Sequence, residues 1–208
     1  GYFGSTLGAK FSNMEALENI QSHKFESVKK IFWRNHLLSF KSSYDLTQSL
    51  IKPSNNQNLI LKKDAEDQKY LFTFLKDKTF SKNIEDPISL RQLWDICRIP
   101  DYQNISEEKH TSLLKEIFDE IKKNNWQLGE DFLKQKITLL EDYSGSIDDL
   151  IYTLNETRIW LYITNQKQWI KKSSWVNIVQ NIEDRLSEEI HLSLMQKFVD
   201  KNKSQMVQ

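Results

Sequence analysis

Turn-forming residues are scarce in this sequence: Gly1, Gly4, Gly8, Gly129 and Gly145 are its only glycines, and Pro53, Pro87 and Pro100 its only prolines, in 208 residues. A fold of many short strands needs more turn chemistry than that, so helices are favoured. Cys97 is the only cysteine, which excludes an internal disulfide and fits a reducing compartment. No apolar run approaches the roughly 20 residues of a membrane helix. The opening "GYFGSTLGAK" has no basic region followed by an apolar one, so it does not read as a secretory signal. It also lacks an initiator methionine, so a fragment or a processed chain is expected. The expectation is a soluble, intracellular protein.

Catalytic motifs are missing as well. There is no G-x-x-x-x-G-K-[ST] loop to cradle phosphates, and "GYFG" and "STLG" are too poor in glycine for a dinucleotide turn. His23, His36, His110 and His191 are scattered, with no H-E-x-x-H and no local pairing to Cys97. Cys97 reads as a buried structural thiol, because no orienting base lies near it in the sequence. The acidic runs "EEK", "EDY" and "IEDRLSEE" read as solvated helix faces. No catalytic residue, metal ligand or cofactor-binding residue is expected.

What is present is charge and amphipathic periodicity. With 28% charged and 12% aromatic residues, a disordered chain is not expected. The net charge is zero, but residues 1–63 hold nine Lys/Arg against four acids, +5, leaving 20 bases against 25 acids, −5, in the remainder. A basic front suits a polyanion, although solvated lysines also produce one.

The spacing predicts an all-α fold: an irregular N-terminal helical region followed by a C-terminal helical bundle. Helices are expected at 13–22, 25–35, 44–52 and 65–77. Another runs over 87–98, opened by Asp86 and Pro87 and stopped by Pro100. Ser106 caps a helix through Lys123, and another covers 130–142. After Gly145, Ser146 and Asp149 resemble a capping box for a helix through "RIWLYI". Ser173 or Ser174 opens the longest helix, to about Lys201. Four segments follow: 1–63 basic, 64–105 connecting helices, 106–201 the bundle and 202–208 a frayed tail. "KPSNNQN" is the best linker, and "NLILKK" after it could be a strand, though one strand makes no sheet.

Two stretches interleave rings with cations, "KKIFWRNH" and "RIWLYITNQKQW". Cations meet phosphates and rings stack on unpaired bases in single-stranded nucleic acid binding. The other reading puts Trp33, Trp160 and Tyr162 in the core, with Arg34 and Arg158 in salt bridges. Trp160 fits the core better. Lys29, Lys30 and Arg34 fit either reading.

Five segments, in order along residues 1–201, together resemble one family. "GYFGSTLGAK" is similar to the turn that leaves the second RecA domain of superfamily 2 helicases. "EALENIQSHKFESVKKIFWRN" resembles the next segment of the mitochondrial RNA-degradosome helicase and its alphaproteobacterial relatives. "SLRQLWDICRIPDY" resembles that family's S-L-R-x-L-W-x-x-C-x-I-P-D-(F/Y) signature. "RIWLYITNQKQWI" and "IEDRLSEEIHLSLMQKFVD" are similar to its closing helices, with "EEIHL" in place of a more usual D-A-L-H-like run. The resemblance implies the C-terminal helical part of an ATP-dependent RNA helicase. It would pack against its own upstream RecA-like domains and help line the path of single-stranded RNA. The nucleotide loop, and with it ATP and magnesium, would lie before Gly1. Expected RNA contacts are Lys29, Lys30, Arg34, Arg91 and Arg98, with Trp94 and Cys97 on the packing side of their helix. The alternative is a scaffold that docks an exoribonuclease without touching RNA. The expected compartment is the bacterial cytoplasm, or else the mitochondrial matrix.

Overall fold

In the computed structural model the described residues are 21–23, 31–62, 65–82, 84, 86–104 and 106–206. They form eight helices and two short strands: β1 (Ile31–Trp33), α1 (Ser43–Leu50), β2 (Leu59–Leu61), α2 (Glu66–Lys76), α3 (Lys78–Ser81), α4 (Pro87–Cys97), α5 (Glu107–Lys123), α6 (Glu130–Thr138), α7 (Ile147–Thr164) and α8 (Ser174–Met206). The fold is all-α apart from that minor sheet.

The helix ends follow local chemistry. Asp86 accepts from the Ile88 and Ser89 amides at 2.9 and 2.8 Å, and Pro87 occupies the first turn of α4. These bonds satisfy amides that have no partner within the helix. Ser106 caps α5 through the Lys109 amide. The Ser146–Asp149 capping box is complete, with the Ser146 amide donating to the Asp149 carboxylate at 2.8 Å and the Asp149 amide donating to the Ser146 hydroxyl at 3.2 Å. Gly145, at φ +107°, makes the turn before it, where an added Cβ would lie 3.0 Å from Asp149 atoms. At the end of α5, Asn125 takes the left-handed conformation (φ 52°), and the Trp126 amide reaches back to the Ile121 carbonyl at 2.7 Å. This is a Schellman closure with asparagine in glycine's usual place.

One hydrophobic core runs from Leu46 to Leu186, so residues 65–104 belong to the same body as the bundle. Helix α4 packs on α2 and α5, with Leu90, Leu93, Trp94, Ile96 and Cys97 buried. Rings of Phe74, Phe80, Phe118 and Trp126 follow one another at centroid separations of 4.7, 5.1 and 6.2 Å, stitching α2, α3 and α5 together. Each fully enclosed side chain of this kind contributes about 1.5–3 kcal/mol. Helices α7 and α8 form the most extensive pair. Trp160 of α7 is 1% exposed, with its ring 6.1 Å from that of Phe132 on α6. Trp169, in the turn that joins them, is buried and donates its indole N–H to Gln92 of α4 at 2.8 Å.

Four expectations need correction. Residues 31–33 of the expected 25–35 helix form a strand: β1 pairs with β2 in parallel, Ile31 beside Leu59 and Trp33 beside Leu61. Ile-Phe-Trp suits a pleated strand, and the partner that "NLILKK" lacked locally comes from upstream. Helix α6 ends at Thr138, short of 142. The turn there exposes Leu139 and returns Leu140 to the core. Helix α3, over Lys78–Ser81, has no counterpart in the expected helices. The last helix runs to Met206, past the expected end near Lys201; neither glycine nor proline occurs after Gly145 to stop it. The expected helix at 13–22 falls almost wholly outside the described residues.

Candidate nucleic-acid interface

Lys29 and Lys30 lie outside the described residues. The other three expected cations are brought together around α4. Periodicity along this helix turns Leu90, Leu93, Trp94 and Cys97 inward and leaves Arg91, Asp95 and Arg98 on the outer face. Arg91 and Arg98 are seven residues apart, two turns or about 10 Å along the axis.

Each arginine is held differently. Arg34 follows β1, and its two terminal nitrogens donate to the two oxygens of Asp67 on α2, both at 2.9 Å. That fork-to-fork pair is the strongest geometry an arginine makes with a carboxylate. It pins the strand segment to α2, and the guanidinium also lies 5.8 Å from the Trp94 ring centre. Beside it, the Asn35 side-chain amide donates to the Ser49 carbonyl at 2.8 Å, tying the same segment to α1. Arg98, at the end of α4, is 3.6 Å from Asp95 and 55% exposed. At that separation and exposure the pair holds Arg98 weakly.

Arg91 makes no salt bridge among the described residues. Its guanidinium lies over the Phe40 ring, 4.3 Å from the centroid. Around this stack an open groove is lined by Leu38, Ser39, Lys41, Pro87 and Ile88. Tyr44, on neighbouring α1, is 70% exposed. A second cleft, of about 440 Å³, is bordered by Arg34, Lys62 and Arg98 together with Glu66, Asp67 and Tyr162. Its three cations and two acids leave it at +1, and Arg34 is already committed to Asp67.

Burial sets the titration behaviour nearby. Burial chiefly raises the Asp95 carboxyl from its ordinary value, with Arg98 and then Arg91 pulling the other way. Burial, reinforced by Asp67, pushes the Cys97 thiol well above its ordinary value. That thiol is a core group with little thiolate character.

A second polar cluster joins residues far apart in the chain. The Tyr70 hydroxyl donates to Asp101 at 3.4 Å, and the buried His110 ring has Nδ1 3.8 Å from Asp101 and Nε2 3.1 Å from the Ile99 carbonyl. The Tyr70 and His110 rings are 4.8 Å apart. Sequence spacing gave no sign of this cluster, because its members come from α2, the 98–104 loop and α5. Phe40, Lys41 and Lys62 were missed for the same reason. The bland reading of the two arginines near aromatic runs does hold: Arg34 pairs with Asp67, and Arg158 pairs with Glu183 at 3.1 Å.

Among the described residues no group of histidine, cysteine and acidic side chains is placed to hold a metal, and no helix is long and apolar enough to cross a membrane. No family model matches the chain, and neither a curated protein nor a solved structure does.

Proposed function

We propose that this chain is a non-catalytic helical module that binds single-stranded RNA across the outer face of α4. The observation that carries the reading is the Arg91–Phe40 stack. It offers, on one open groove, an aromatic platform and a cation that makes no salt bridge among the described residues, with Arg98 two turns further along. Phosphates would sit at Arg91, Arg98 and Lys41, and bases would stack on the Arg91–Phe40 surface. Arg34 positions this surface by fastening the segment before Phe40 to α2. Lys29 and Lys30 extend the basic front in sequence.

The resemblance of five segments to the degradosome helicases supports a more particular reading. In it the chain is the C-terminal accessory part of an ATP-dependent RNA helicase. ATP, magnesium and the hydrolytic motifs belong to RecA-like domains upstream, and the site of action is the bacterial cytoplasm or the mitochondrial matrix. The helices then brace the motor while the α4 face guides the strand. A scaffold for an exoribonuclease is the alternative, and RNA binding separates the two.

The test is fluorescence anisotropy of labelled oligouridine with the 208-residue chain over a salt series. Affinity should fall as salt rises, and Arg91→Ala and Arg98→Ala should each reduce the slope of log K against log salt by about 0.7. Phe40→Ala should weaken binding with no change in slope. Absence of binding at the lowest salt would favour the scaffold.

A further inference from the structure

Helix α8 outlasts everything it packs against. At 33 residues it is about 50 Å long, whereas its partner α7 has 18 and is about 27 Å. The two run antiparallel: Arg158 meets Glu183, and Tyr143, ahead of α7, already lies under Arg185 at 4.1 Å. Val179, Ile182 and Leu186 are buried and Ile190 is the last residue packed on the core. Beyond it Leu192, Leu194, Met195, Phe198 and Val199 are 54, 50, 55, 67 and 43% exposed.

These residues form a second apolar face. At about 100° per residue, Val179, Ile182, Leu186 and Ile190 span one arc of about 80°, and the five exposed side chains span an arc of about 160° on nearly the opposite side. The exposed His191 lies within that second arc, and Ser193, Gln196 and Lys197 fill the remaining one. The overhang is thus amphipathic by itself, and contiguous exposed apolar surface of this kind marks an interaction site. Charge along the helix identifies the occupant. Residues 183–189 carry four acids against Arg185, and 190–206 carry three lysines against one aspartate, so the sequence passes from −3 to +2. A second α8 laid antiparallel, its two-fold axis near Met195, sets apolar face on apolar face and places the acidic stretch of each copy toward the lysines of the other.

We propose that the C-terminal half of α8 is a self-association surface, joining two copies of this chain through an antiparallel helix pair. The interface is isologous and leaves the α4 face of both copies open. It does not depend on RNA binding.

Sedimentation equilibrium on the intact chain should show a concentration-dependent dimer, and Leu194→Glu with Phe198→Glu should return it to monomer with unchanged helical circular dichroism and unchanged RNA affinity per chain. Because Cys97 is buried, an introduced cysteine reports cleanly. Met195→Cys should form an intermolecular disulfide under mild oxidation and Glu188→Cys should not. A monomer at all accessible concentrations overturns the proposal, as does a dimer that survives both substitutions. Efficient Glu188→Cys cross-linking overturns the antiparallel arrangement. A monomer that binds anionic phosphatidylserine vesicles through Leu194 and Phe198 would replace the second copy with a lipid surface.

Discussion

Helices α4 and α8 use the same apolar periodicity to different ends. Short α4 is packed between α2 and α5, so its ring-and-thiol face is consumed, and past the exposed Pro87 and Ile88 at its start Arg91, Asp95 and Arg98 hold the outer side. Long α8 consumes its first apolar face against α7 and then shows a second one to solvent. An exposed cation beside a consumed apolar face points to an anionic ligand. Exposed leucine, methionine and phenylalanine on an overhanging helix point to another apolar surface. The difference lies in how far each helix extends past its neighbours, not in helix propensity.

The sharpest way to break this comparison lies within α8 itself. Leu186→Ala, at a position with no exposure, should cost about 2–5 kcal/mol. Leu194→Ala, half exposed, should stay within about 0.5 kcal/mol when both are measured by urea unfolding at low protein concentration. Equal losses would mean that the overhang is packed on the body. For α4 the corresponding change is at its start. Asp86→Ala removes the cap that receives both the Ile88 and Ser89 amides and should cost about 1 kcal/mol, leaving the RNA salt slope untouched if the cap only holds the helix.

The gentlest effect is a pH dependence. Burial holds the His110 pKa below its ordinary 6.5, outweighing the attraction of Asp101. Below 6.5 the unfolded chain therefore takes up this proton more readily than the folded one, and stability rises with pH through that range. The contribution is complete above 6.5 and is lost as the solution is acidified below it. Thermal melts from pH 7 to pH 5 should show a falling midpoint, with a shallower fall in His110→Gln. An identical fall in both proteins would assign the effect to other groups.

Much of the fold was legible because its signals are local. The Asp86–Pro87 start, the Ser106 cap and the Ser146–Asp149 box each need only a few consecutive residues, and the apolar spacing of α5, α7 and α8 needs only one helix at a time. The parallel pairing of β1 with β2 was not legible, since its partners are separated by α1 and the loop after it. Nor were the partners of Arg34 and Arg91. Arg34 finds Asp67 33 residues away, and Arg91 finds Phe40 across the groove. The odd length of α8 relative to α7 was visible as a number, but its consequence, an uncovered second face, appears only when the two are laid side by side.

The sequence by itself determined most of the helical residues, where most helices start, and that Trp94, Cys97 and Trp160 belong inside, because backbone capping and 3.6-residue periodicity act within one turn or two. Only the tertiary structure decided which guanidiniums are spent on carboxylates and which remain open, and where α8 leaves the body. Those outcomes depend on distances between segments remote in the chain, and hydrophobic burial, which brings the segments together, has no direction encoded along the sequence.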